Sequence, residues 1–130
     1  MTIDLGRVVI VNENSNPDRA GDVTLFENIA DAESWLEPID VQNGGYFAYL
    51  LDGRQLKLCV VKGRGIFSAE KVRIDPELPA QEHSHHVRYL LEAAGTAVLA
   101  ARTRREGIEP ELKPSSMSMV ELVELIGFSR

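Results

Sequence analysis

Tyr46-Phe47-Ala48-Tyr49-Leu50-Leu51, then Asp52-Gly53-Arg54, then Gln55-Leu56-Lys57-Leu58-Cys59-Val60-Val61 is the stretch whose reading decides the fold. Two apolar runs, rich in aromatic and β-branched residues, flank an Asp-Gly pair. That pattern predicts a β-hairpin, because Gly supplies the positive φ a tight turn requires. Both strands are nearly continuous in apolar residues, so both faces of the sheet should be at least partly covered.

Upstream, Gly6-Arg7-Val8-Val9-Ile10-Val11 reads as a strand ended by the polar loop Asn12–Asp18, and Asp22–Phe26 reads as a second strand antiparallel to it. Asn28 offers an N-cap, with Asp31 and Glu33 suited to the positive end of a helix. Ile29, Ala32 and Leu36 follow at helical spacing, and Pro38 is expected to stop the helix after about two turns. The average burial of Trp places Trp35 in the core; exposed beside Asp31 and Glu37, it would instead be a partner's hot spot. Ile39-Asp40-Val41 reads as extended, with Asp40 an inward carboxylate that accepts backbone hydrogen bonds. Gln42-Asn43-Gly44-Gly45 reads as a turn.

Downstream, Lys62-Gly63-Arg64-Gly65 is a turn, without the spacing of a phosphate-binding loop. Ala69–Ile74 alternates polar and apolar residues, as a half-wet antiparallel strand does. Val87, Leu90, Leu91, Ala94, Val98 and Ala101 form the apolar stripe of one long helix, which Gly95 interrupts at about 1 kcal/mol. Arg102, Arg104 and Arg105 suit the negative end of its dipole. Glu106–Pro114 reads as a linker. Ser118-Met119-Val120-Glu121 fits a capping box that opens a last helix, with Met119, Val120, Val123 and Ile126 on one face and a stop at Gly127. The fold class is therefore α+β in a single domain over residues 1–130. A mainly antiparallel sheet of about four to six strands carries a short helix after the second strand and two C-terminal helices packed on it.

The chain has 130 residues, 44% of them hydrophobic and 26% charged, with a formal net charge of −6. These proportions suit a globular core. Cys59 is alone, which rules out an intramolecular disulfide, and its apolar run suggests an inert thiol. Neither a signal peptide nor an apolar run long enough to span a membrane is legible, so a cytoplasmic protein without a membrane partner is expected. Residues 1–60 hold ten acids and four bases, whereas residues 61–130 hold ten of each. The excess lies between Glu13 and Asp52, where nine acids meet one base, Arg19. Such a field repels nucleic acid and attracts a basic protein.

No catalytic residue is assigned. A Gly-x-Ser-x-Gly elbow is lacking, and neither Ser115 nor Ser116 sits in one. No cofactor is called for. In Glu82-His83-Ser84-His85-His86, His83 and His86 stand one helical turn apart, a spacing that can place two imidazoles on one metal. A zinc site needs a further ligand, so the expectation is no metal, with His83 and His86 kept for the alternative.

Residues 25–41, followed by Gly45-Tyr46-Phe47-Ala48-Tyr49 and Asp52-Gly53-Arg54-Gln55-Leu56, resemble small bacterial immunity proteins of polymorphic toxin systems. The likeness covers residues 22–61 in detail and the remainder in order of elements. It implies a cytoplasmic inhibitor that covers a toxin's active site, with acidic residues set against a basic surface. The family has no universal motif, so the resemblance carries over no residue roles. The leading reading is a non-enzymatic protein-binding domain whose face includes Asp31, Glu33, Trp35, Glu37 and Asp40. The alternatives are a small metal-binding domain or metal-dependent enzyme built on His83 and His86, and an accessory domain that forms a homo-oligomer.

Overall fold

The computed structural model describes residues 4–62, 70–76, 83–107 and 113–129. Five strands form one sheet: β1 (Val9–Glu13), β2 (Asp22–Phe26), β3 (Tyr46–Leu50), β4 (Gln55–Lys62) and β5 (Glu70–Pro76), in the order β2-β1-β3-β4-β5. All four pairings are antiparallel. The expected hairpin is β3–β4, and the alternating run is β5, with Val72 and Ile74 buried and Lys71 and Arg73 exposed. The turn expected at Lys62–Gly65 and most of the Glu106–Pro114 linker lie outside the described residues.

Helices cover both faces of the sheet. On one face Val9, Val11, Phe26, Ala48, Leu56, Val72 and Ile74 pack with Ala32 and Leu36, brought there by α1 (Ile29–Trp35) and its C-cap. On the other, Ile10, Leu25 and Tyr49 pack with Val87, Leu90 and Leu91 of α3 (Ser84–Glu106) and with Leu122 and Val123 of α4 (Met119–Ile126). The nearly continuous apolar character of β1 and β3 follows from this double coverage.

Local signals set the helix ends. The Asn28 side chain accepts from the Asp31 N–H at 2.8 Å, which caps α1. The Ser118 hydroxyl accepts from the Glu121 N–H at 3.1 Å while the Glu121 carboxylate accepts from the Ser118 N–H at 2.9 Å, a complete capping box. Gly107 closes α3 with φ of 72°. Pro38 behaves differently from expectation. It ends α1, yet it also starts a second short helix, α2 (Pro38–Gln42), so Ile39-Asp40-Val41 is helical rather than extended. Proline at the first helical position forfeits a donor that would have had no partner, and its fixed φ already suits a helix.

Two helix faces also differ from the sequence reading. In α4 the buried centre is Leu122 and Val123, while Val120 is 41% exposed. In α3 the stripe is fully buried only as far as Leu91, Ala94 and Val98 are half-buried and Ala101 is exposed, so the C-terminal part overhangs the sheet. Gly95 marks a helix crossing: a Cβ there would lie 3.3 Å from the Leu122 and Leu125 methyls and 3.5 Å from Pro114. Gly95→Ala should be near neutral, because about 1 kcal/mol of helix propensity offsets a tight contact with flexible methyls. Gly95→Leu should separate α3 from α4 and cost about 2 kcal/mol. Urea melts of both variants decide this; equal midpoints would disprove the close crossing.

Arg88 fastens the segment before α4. Its guanidinium donates to the carbonyls of Pro114 (3.2 Å), Ser115 (3.4 Å) and Met117, and lies 3.5 Å from Glu92. One planar cation thus serves the Ser115 and Met117 carbonyls and adds a second donor to the Pro114 carbonyl, which already accepts from the Met117 N–H at 3.1 Å.

Candidate functional site: the Trp35–Ile39 face

α1 and α2 meet at Leu36–Glu37, and this corner turns Trp35 and Ile39 outward. Trp35 is 37% exposed and Ile39 is 62% exposed. The expectation of a fully buried Trp35 is corrected: the indole lies over the end of the core, not in it. One side of its ring packs on Phe26, with centroids 5.4 Å apart, and Tyr46 lies edge-on at 6.0 Å. The buried contacts fix the ring while part of it faces solvent, the arrangement of a preorganised aromatic anchor.

Carboxylates surround this corner. Glu37 and Asp31 are exposed, and Asp40 is half-buried. Glu13 ends β1 directly opposite both Asp22 and Tyr46, so these three side chains share the face that α1 and α2 cover. The Tyr46 hydroxyl donates to the Asp40 carboxylate at 3.3 Å. Asp40 was expected to accept backbone hydrogen bonds from an extended segment; it accepts from the phenol instead, because α2 turns its side chain toward β3.

The Tyr46 phenol reports how the acids converge. Burial pushes its pKa up to about 12, helped by the negative charges of Glu13 and Asp40, the hydrogen bond to Asp40, and Glu37. The folded state therefore holds this proton more tightly than the unfolded chain, whose value is near 10.0. The resulting stability is complete below pH 10 and is lost as pH rises through about 12. Tyr46→Phe should flatten the alkaline limb of the stability profile between those values. A tyrosinate absorbance titration in which every tyrosine ionises near its ordinary value would refute this.

Of the five residues expected at a binding face, Asp31, Trp35, Glu37 and Asp40 lie on α1 and α2 around this corner. Glu33 does something else. Its carboxylate accepts from the Ile74 N–H at 2.8 Å, capping a backbone donor of the outermost strand β5. Ile39, Glu13 and Tyr46 were missed by the sequence reading. For Ile39 the signal was the proline before it, read as a stop rather than as the first residue of a new helix.

Two of the histidines, His83 and His86, pack against tyrosine rings. His83 and His86 flank Tyr49, with ring centroids at 5.6 and 5.5 Å, and His86 also stacks on Tyr89 at 5.7 Å. Among the described residues, no group of three or more His, Cys, Asp or Glu side chains is placed to hold a metal. An apolar groove lies against the overhanging part of α3, lined by Thr96, Leu99, Ala100, Thr103, Lys113 and Pro114. Its centre is about 20 Å along the helix from His86, so the two do not form a shared site.

No helix among the described residues is long and apolar enough to cross a membrane. No protein-family model, curated protein or solved structure matches this chain.

Proposed function

We propose that this chain is a non-enzymatic binding domain that holds a basic protein against the Trp35–Ile39 face, with neutralisation of a toxin domain as its most specific form. The observation that carries the reading is the exposed pair Trp35 and Ile39, set among Glu13, Asp31, Glu37 and Asp40. An aromatic and an aliphatic anchor exclude water at the centre, while the surrounding carboxylates steer a cationic surface and fix its orientation. The resemblance of residues 22–61 to immunity proteins points the same way, since those inhibitors set acids against a basic toxin.

The test is a pull-down from the native cell with wild-type protein, followed by calorimetry on the protein retained. Expected is a basic partner whose Kd rises steeply with salt. Reversing Asp31 and Glu37 to Lys should weaken it at least tenfold, and Trp35→Ala should weaken it about thirtyfold. Glu33 is left unchanged in that variant, because its bond to Ile74 would confound stability with binding. A Kd that ignores both salt and charge reversal would sink the proposal.

A further inference from the structure

The sheet is covered unevenly on its α3 side. α3 and α4 lie over Leu25, Ile10 and Tyr49, that is, over β2, β1 and β3. On the same side β4 and β5 present Lys57, Cys59, Val61, Lys71, Arg73 and Asp75, since their cross-strand partners are Lys57 with Asp75, Cys59 with Arg73 and Val61 with Lys71. Lys57, Val61, Lys71 and Arg73 are exposed. Three cations and one carboxylate thus make a basic strip in a chain of net charge −6. Asp75 is committed to Arg73, at 2.9 Å.

β5 is also an edge. Among the described residues no strand pairs with its outer side. The Ile74 N–H points outward to Glu33, so by strand alternation the backbone groups of Val72 and Glu70 point outward as well. An open edge invites an added strand, and its charges decide which one. A second copy of this chain is disfavoured. In an antiparallel register centred on Val72, Lys71 would face Arg73, and directly opposed like charges are destabilising. A register centred on Arg73 would pair Val72 with Ile74, whose N–H is already held by Glu33. An extended acidic segment has the opposite relation. Lys71 and Arg73 stand two residues apart on one face, about 7 Å, which is the spacing of carboxylates at alternate residues of a strand.

We propose that the β5 edge accepts an extended acidic segment of another protein as a sixth strand. The outward backbone groups of Glu70 and Val72 pair with it, and its alternate carboxylates lie against Lys71 and Arg73. A nucleic-acid strand is the competing polyanion. It is disfavoured because no described side chain on this strip is aromatic, which leaves nothing for a base to stack on. This surface is separate from the Trp35–Ile39 face and does not depend on it.

The experiment uses a labelled peptide that alternates Glu and Val, followed by fluorescence anisotropy on the full chain. Saturable, salt-sensitive binding is expected, weakened about tenfold or more by Lys71→Glu with Arg73→Glu. Both side chains are exposed, so the double variant should stay folded, with a melting curve, measured alongside, lowered only slightly by loss of the exposed Arg73–Asp75 pair. The same peptide N-methylated at alternate residues keeps its charge but loses backbone donors, and it should bind far more weakly. No saturation, equal binding to the double variant, undiminished binding of the methylated peptide, or tighter binding of a single-stranded oligonucleotide would each overturn the proposal.

Discussion

Gly53→Ala should be among the most destabilising single-methyl additions to this chain, costing about 3 kcal/mol. Two independent costs add. Gly53 has φ of 96°, a conformation L residues rarely adopt, so any side chain strains the turn between β3 and β4. A Cβ would also lie 2.5 Å from the Ser84 nitrogen and 2.8 Å from its Cα, and both atoms are backbone at the start of α3. Neither can swing aside as a side chain would. The Gly53 carbonyl accepts from the His83 N–H at 3.2 Å, so moving α3 away to relieve the clash would also break this contact. Urea unfolding should show the midpoint falling by about 1–2 M with an unchanged slope. A shift below about 0.3 M would show that the turn and α3 do not depend on this close approach.

Asn12→Leu should be comparable, again about 3 kcal/mol, for a different reason. Asn12 is fully buried in β1 yet polar. Its side-chain amide donates to the Arg19 carbonyl at 2.9 Å, and its carbonyl accepts from the Gly21 N–H at 2.8 Å. The pair of bonds closes the loop that joins β1 to β2. Leucine fills a similar volume but removes the Gly21 N–H's acceptor and leaves the Arg19 carbonyl only the longer bond from Asn14, while burying no replacement for either partner. Gly21 adds to the constraint, because a Cβ on it would collide with the Glu13 carbonyl oxygen. Hydrogen exchange should speed up first in residues 14–21, which the Tyr89 hydroxyl also holds through the Ala20 N–H at 3.2 Å. Asn14→Ala is the contrast: its bond to the same Arg19 carbonyl is longer, at 3.3 Å, and exposed, so about 0.5 kcal/mol or less is expected. Equal losses in the two variants would mean that burial does not set the cost.

These two positions show how far the sequence reading could reach. Asp52-Gly53 announced a turn, but nothing in the order of residues announced that the N-terminus of α3 would rest on it. Asn12 read as the first residue of a polar loop, because a buried asparagine that bonds to its own loop looks the same in sequence as an exposed one. Trp35 and Asp40 follow the same logic. The place of Trp35 near a helix end was legible, but Asp40 read as part of an extended segment, because the second helix that turns Ile39 out and brings Asp40 to Tyr46 was hidden by a proline that can stop one helix and start another.

What the sequence determined by itself was local: the hairpin at Asp52-Gly53, the strand alternation of β5, the Asn28 cap, the Ser118–Glu121 capping box, and the confinement of excess acid to residues 13–52. Each depends on the preferences of a few neighbouring residues, and those preferences are already written in their order. Only the tertiary structure decided the strand order β2-β1-β3-β4-β5, the separation of helices onto two faces, and the bond that ties Glu33 to the Ile74 N–H. It also decided that Gly95, a weak point in an isolated helix, is the place where α4 can approach. These depend on contacts between residues far apart in the chain, where packing and the pairing of buried polar groups outweigh local preference.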